Sequence, residues 1–341
     1  MIETLKALCA LSGVSGDEGE VRDYIIDMAK KHTDDVKTDV MGNVLVFKKG
    51  AKTSEKKVVL CAHMDEVGIV VTAITDDGYL KFATAGSIDK RVLVGKTVAF
   101  GKARLFGVIG CAAIHLLKPK DREKVIGPDE MYIDIGVTSR EEAEKLVSPG
   151  DCGAFDNEIR EFGDGFIKAK AIDDRFGCAV LLELIASDLP VDCTFAFTVQ
   201  EEVGLRGAFT AAYTTAPDIA LIIESTSAAD LPSVPENKKV CKAGGGAVIP
   251  FMDGASIYDK ELRKVLMDIA DKNGIKHQTK NVIAGGTDGA AFQRSGIGVQ
   301  TVGIAAPIRN LHSPSCVGKI SDLEGVNKLA GLFLQWVGRQ G

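Results

Sequence analysis

Two of the five histidines in the chain sit where a metal ligand could be, and the carboxylates that could complete a two-ion site lie between them. The segments are Ala62-His63-Met64-Asp65-Glu66, Ile172-Asp173-Asp174-Arg175, Gln200-Glu201-Glu202-Val203-Gly204, Glu224 after Ala220-Leu221-Ile222-Ile223, and Leu311-His312-Ser313-Pro314. Imidazole nitrogen and carboxylate oxygen suit zinc, cobalt or manganese, and two such cations side by side can activate a water between them.

Each segment has a reason to be of this type. A metal-bound imidazole usually passes its second N–H to a carboxylate, and Asp65 is placed for that role beside His63; the plainer alternative is a satisfied core histidine with a solvated aspartate. Asp173-Asp174 precedes a helix that one of them could cap. Two adjacent acids exceed the need of one cap, however, and a carboxylate can bridge two cations with its two oxygens. Glu201 and Glu202 leave an apolar run, so their side chains diverge; one can bind metal while the other stays free as a base. Glu224 is either a ligand or the first exposed residue of its strand, and His312, in a Pro-flanked loop, is equally open.

The elements needed to position these groups are legible in outline. Val21, Tyr24, Ile25 and Met28 mark an amphipathic helix over 17–31, with Ser15 and Glu18 spaced as a capping box. Lys57–Ala62 reads as a buried strand. From Val67 to Asp134 the chain turns to short β-like runs (Ile69–Ile74, Tyr79–Ala83, Thr97–Phe100, Arg104–Ile109, Met131–Ile135), with Asp77-Gly78 as a hairpin signal. A helix over Arg175–Ala186, strands Thr194–Val199 and Ile219–Ile223, a helix around Leu262–Ile269, a strand Gly298–Ile304 and a closing helix Leu323–Val337 follow. The expected fold is α/β: residues 1–66 and 165–341 form a discontinuous mixed-sheet, three-layer catalytic domain, interrupted by a β-rich insert, a small barrel or sandwich, over 67–164. His63, Glu201, Glu202 and Glu224 would each follow a strand and His312 would lie in the loop after one, at the edge where open α/β sheets bind ligands.

Composition narrows the function. The 341 residues are 45% hydrophobic and 26% charged, as expected of a globular chain with a large core. A net charge of −6 leaves no basic surplus for nucleic acid or anionic membrane. No run approaches the ~18 apolar residues of a membrane span, and the acidic start Met1-Ile2-Glu3 lacks the basic, apolar build of a secretory signal. Eight scattered cysteines without a C-x-x-C pair fit buried thiols in a reducing cytoplasm. Gly95-Lys96-Thr97 is no P-loop, because Lys90 stands where that motif needs glycine and a strand follows. Gly244-Gly245-Gly246 either brings backbone to the cleft or makes a turn, His115 and His277 have no partner pattern, and Arg175 and Arg206 either orient the acidic cluster or balance its charge.

Several further segments, Gly13-Val14-Ser15-Gly16, His63-Met64-Asp65-Glu66-Val67-Gly68, Tyr132-Ile133-Asp134-Ile135-Gly136, Pro149-Gly150-Asp151 and Gly285-Gly286-Thr287-Asp288, join the acidic motifs in one ordered set. Over nearly its full length the chain resembles the di-metal aminopeptidases of the tetrahedral (TET-type) group, which includes glutamyl aminopeptidases and proteins labelled CelM-type endoglucanases. The resemblance implies that His63 and Glu224 bind one ion and Glu202 and His312 the other. Asp173 would bridge them, Glu201 would be the general base and acid, and the insert would serve dimer contacts within a hollow dodecamer. Short peptides would lose their N-terminal residue to a hydroxide held between the two ions. Three positions depart from the family pattern. Glu224 stands at a usual aspartate, Cys316 at a usual glutamate, and Asn310-Leu311 where an aromatic usually precedes the histidine. Altered metal preference is expected, rather than loss of binding. Two other functions compete: a metal-binding oligomeric scaffold, and a glycoside hydrolase using a carboxylate pair, which leaves both histidines idle and has a single tryptophan for sugar stacking.

Overall fold

The computed structural model describes residues 1–340. Alternation along the His63 strand shows how the layers arise. Val58, Leu60 and Ala62 enter one core and Val59 and Cys61 another, as the two-residue period of a strand requires. The larger core packs the helices Ile2–Ala10, Gly19–Ala29, Ile172–Ala186, Lys260–Lys272 and Ile320–Val337 on one face. The smaller one is closed by Ala208, Ala211 and Ala212 of helix Arg206–Thr215 and by Ala291 and Phe292 of Gly289–Gln293. The result is the expected three-layer α/β build.

The sheet between these layers is mixed. Its centre runs parallel through Cys193–Thr198, Val58–His63, Ile219–Ser227 and Gln300–Arg309. On one side Val44–Lys48 and Val36–Thr38 add antiparallel. On the other, Cys316–Lys319, Phe166–Ala169 and Arg160–Phe162 do so. The chain therefore rejoins this sheet at Arg160, slightly before the expected resumption at 165.

Between them, Gly68–Ile74, Leu80–Ala85, Met131–Asp134, Leu105–Cys111, Thr97–Phe100 and Cys152–Phe155 close into an antiparallel barrel in that spatial order. Ile69, Phe82, Val98, Ile133 and Phe155 fill it. The sixth strand has no counterpart in the sequence expectations. The Asp77-Gly78 hairpin forms as expected: Gly78 takes a φ of 83°, and a Cβ there would lie 2.9 Å from the Ser139 carbonyl. Among the described residues no helix is long and apolar enough to cross a membrane.

One local expectation changes and one open alternative is settled. The second helix begins at Gly19, and Ser15 does not cap it; the Ser15 hydroxyl donates instead to Asp65 Oδ2 at 2.6 Å. Glu18 accepts from the N–H groups of Gly16 and Gln200. The spacing of a capping box was present, but both side chains found better acceptor and donor partners across the fold. The Gly244–Gly246 segment makes a turn, its N–H groups donating to Asp322.

Candidate active site

The parallel strands deliver the singled-out residues to one edge. His63 is the last residue of its strand, and parity puts it on the same sheet face as Val59 and Cys61. The strand expected to stop at Ile223 continues to Ser227, so Glu224 lies inside it, paired with Ala305 and on the face of Ile222. Gln200 adopts a left-handed backbone (φ 56°) after the strand Cys193–Thr198 and turns the chain. The next two N–H groups then donate to Asp65, Glu201 to Oδ1 at 2.9 Å and Glu202 to Oδ2 at 3.1 Å. Helical geometry is broken at Asp173 and Asp174, where Asp174 Oδ1 caps the regular helix through the N–H of Gly177 at 3.0 Å. Asp173 is thereby released from capping.

All of these side chains meet. His63 Nε2 lies 3.4 Å from Asp173 Oδ1, 3.8 Å from Glu224 Oε2 and 4.0 Å from Glu201 Oε2. His312 Nε2 lies 3.3 Å from Asp173 Oδ2 and 3.3 Å from Glu202 Oε2. The two Asp173 oxygens thus face two different imidazoles. Each ring is oriented by its other nitrogen: His63 Nδ1 stands 3.1 Å from the Asp65 carbonyl and 3.4 Å from Asp65 Oδ1, and His312 Nδ1 donates to the Ser87 carbonyl at 2.9 Å. Donation there leaves both Nε2 atoms to accept a cation.

The electrostatics are those of a site short of positive charge. Burial pushes Glu201, Glu224 and Asp174 well above the usual carboxylate range, helped by neighbouring acids. Burial and Asp173 push Glu202 up to about 7. Burial works against charge on His312, yet Asp173 and Glu202 raise it to about 9; His63 is likewise raised by Glu224, Asp173 and Asp65. Protons here occupy the places of cations. Asp173 Oδ1 and Asp174 Oδ2 are buried and make no hydrogen bond among the described residues. Ligand atoms of His63, Asp173 and Glu202, and again of His63, Asp174 and Glu224, lie within 4.8 Å of one another. Divalent cations that take both imidazole nitrogen and carboxylate oxygen fit this donor set.

One contributor escaped sequence reasoning. Ser87 acts through its backbone, which any residue could supply. Arg175 is fully buried and donates to the carbonyls of Met64 and Leu8 and, at 3.1 Å, to Glu66, which also binds Lys170 at 2.6 Å. It therefore ties the His63 loop to the Asp173 bend, the orienting one of its two expected roles. Arg206 makes no comparable contact among the described residues. Asp288 is buried at the floor, holding Thr198 and Cys61. Cys316 is buried under the His312 loop, its thiol near the carbonyls of Asn310 and Ser313. His277 pairs with Asp271 outside the site.

A parallel-centred mixed sheet with imidazoles and carboxylates gathered at its carboxyl edge defines an α/β protein with the donor set of a metal-dependent hydrolase. Residues 42–329 match the M42 glutamyl aminopeptidase family, and the chain belongs to that family. It is 31% identical to a lysyl aminopeptidase of Pyrococcus furiosus over 98% of this chain and 96% of the relative. An aminopeptidase of Desulfurococcus kamchatkensis superposes with a TM-score of 0.92 at 36% identity, over 98% and 96% of the two chains. The TET1 peptidase of Pyrococcus horikoshii, described as assembling into a tetrahedron or an octahedral shell, superposes at 0.85 with 37% identity over 97% and 98%.

Proposed function

We propose that the chain removes N-terminal residues from short peptides with two divalent cations, zinc or cobalt foremost and manganese as an alternative. His63 and Glu224 would hold one, Glu202 and His312 the other, with Asp173 shared. The observation that carries this is the division of Asp173: one oxygen faces His63 at 3.4 Å and the other His312 at 3.3 Å. Such an ion pair supplies a water acidified toward pKa ~7 and a polarised carbonyl. Glu201, whose Oε2 lies 4.0 Å from His63 Nε2, farther than Asp173 or Glu224, takes the proton of the attacking water and returns it to the leaving amine. Asp65 positions the base and the ligand together by holding the N–H groups of Glu201 and Glu202.

Residues 1–66 and 165–341 form the catalytic unit in this reading, and 67–164 serve dimer contacts in a tetrahedral dodecamer. The assembly of the Pyrococcus horikoshii relative supports it, as do the exposed Phe106, Ile114 and Leu116 of the insert. The eight free thiols, most of them buried, support a cytoplasmic setting, and the net charge of −6 supports a reading without nucleic-acid or anionic-membrane partners.

The test is release from a panel of aminoacyl chromophores by chelated and metal-restored protein, wild type against Glu201→Gln. The variant is expected to keep both ions and lose about 10²–10⁴-fold in turnover. Equal rates in the two proteins overturn the assigned base. A metal-loaded wild type that releases nothing overturns the peptidase function in favour of a scaffold.

A further inference from the structure

Three charged side chains that the catalytic steps do not use are buried together: Glu66, Lys170 and Arg175, at 2%, 3% and 0% exposure. Two cations share one carboxylate. Glu66 Oε1 accepts from Lys170 Nζ at 2.6 Å, from Arg175 Nη2 at 3.1 Å and from the N–H of Gly13 at 3.1 Å. Its Oε2 accepts from Lys170 Nζ at 2.9 Å. Lys170 Nζ also donates to the Leu11 carbonyl at 2.6 Å, so the three donors of the ammonium are all in use. A Cβ on Gly13 would stand 2.5 Å from Arg175 Nη2. The glycine that opens the Gly13-Val14-Ser15-Gly16 motif therefore makes room for the guanidinium.

The two cations depend on Glu66 to different degrees. Arg175 is planar and is held besides by the carbonyls of Met64 and Leu8, at 2.7 Å each. Lys170 is a point charge on a flexible stem, and Glu66 supplies two of its three contacts. Lys170 stands three residues before Asp173 in the chain. A cavity of about 10 Å³ is lined jointly by Glu66, Lys170, Asp173, Glu202 and His312. That is about the room of one water, and an ammonium is of similar size. A buried ammonium stripped of its carboxylate is costly where it stands and gains by reaching another. Asp173 and Glu202 offer that alternative across the cavity.

We infer that Glu66 is a positioning residue for the metal site: it retains the Lys170 ammonium beside the Gly13 loop and keeps it out of the place among Asp173, Glu202 and His312 to which the second ion is assigned. This rests on the di-metal reading proposed above. The chain carries a built-in competitor for its own ion, and the carboxylate three residues after His63 restrains it.

Cobalt(II) titrated into chelated protein, followed by calorimetry and visible absorption, tests this without any substrate. Glu66→Gln keeps an oxygen for Arg175 and Gly13 but turns an NH₂ group toward the ammonium. Its affinity for the ion assigned to Glu202 and His312 is expected to fall about 10–100-fold, with the other ion little changed. The spectrum of the ion that remains should match that of His312→Ala. Lys170→Met is expected to bind both ions nearly as wild type does, because it releases nothing into the cavity. Glu66→Gln/Lys170→Met should then regain the second ion, a rescue that a merely structural role does not produce. Wild-type binding in Glu66→Gln, loss of both ions together, equal loss in the single and double variants, or loss of an ion in Lys170→Met overturns the inference and leaves the di-metal reading standing. If Glu66→Gln alone does not fold, the double variant is the test: two ions support the inference, and one ion or failure to fold overturns it. A wild type that takes up fewer than two ions overturns the di-metal reading and the inference with it.

Discussion

Replacing Asp65 with asparagine removes the anchor of the loop that carries Glu201, the proposed base, and Glu202, a proposed ligand. The carboxylate is fully buried and receives three donors: Glu201 N–H, Glu202 N–H and the Ser15 hydroxyl. A carboxamide has one accepting oxygen. If it serves Glu201 N–H, its NH₂ group faces Glu202 N–H and Ser15. The hydroxyl can rotate to accept; the backbone N–H cannot. One orphaned buried donor costs about 1–3 kcal/mol, and the surviving bonds lose the strength a charged acceptor gives, for a total near ~3 kcal/mol. At ~2–4 °C per kcal/mol this is a fall in Tm of roughly 6–12 °C. Movement of the loop to relieve the orphan displaces Glu202, so metal affinity should also fall about 10–100-fold. Competition against a chromophoric chelator and thermal melts of the loaded protein measure both. Ser15→Ala is the control: it removes a donor and leaves both backbone groups satisfied, costing about 1 kcal/mol. Wild-type affinity and melting in Asp65→Asn, or equal damage from Ser15→Ala, would refute the reasoning.

Two further outcomes follow from the same geometry. Glu202, at about 7 against an ordinary 4.5, and His312, at about 9 against 6.5, bind more protons in the cation-free fold than in the unfolded chain. Stability of chelated protein should therefore fall as pH rises, across 4.5–7 for Glu202 and 6.5–9 for His312, while metal affinity rises over the same range as cations displace protons. Melts at pH 5, 7 and 9 and buffer-dependent titration heats check this; a cation-free Tm that climbs with pH contradicts it. Gly86 has a φ of 82°, and a Cβ there would stand 2.7 Å from Val67 Cγ1 and 3.3 Å from Glu202 Cβ. Gly86→Ala should cost about 1–2 kcal/mol of backbone strain and loosen the ion assigned to Glu202 and His312 before the other. Metal content after limiting chelation should drop from two toward one, and loss of both ions together would count against the assignment.

Much of this site was legible because its residues interrupt apolar runs. His63 and Glu201-Glu202 stand where strands leave the core, and two acids in succession at Asp173-Asp174 exceed one cap. Glu224 was read at the end of its strand because Ser225 and Thr226 are polar; cross-strand pairing with Gln300–Arg309 carries the strand on regardless. The barrel strand Cys152–Phe155 was missed because Cys-Gly-Ala offers no β-branched signal. Its Gly153 is dictated by a neighbour, since a Cβ there would meet the Phe100 ring at 2.7 Å. Ser15 shows the opposite failure: the spacing was right for a cap, but local pattern says nothing about an aspartate fifty positions away.

The carbonyl of Ser87 belongs to the segment between two barrel strands, yet it sets the tilt of an imidazole on the peptidase sheet. The insert is consequently no detachable accessory. An engineer who excised it and bridged the gap with a short linker would strip His312 of the acceptor that fixes which of its nitrogens carries the proton, and any torque that neighbouring copies exert on the barrel has a direct line to the chemistry.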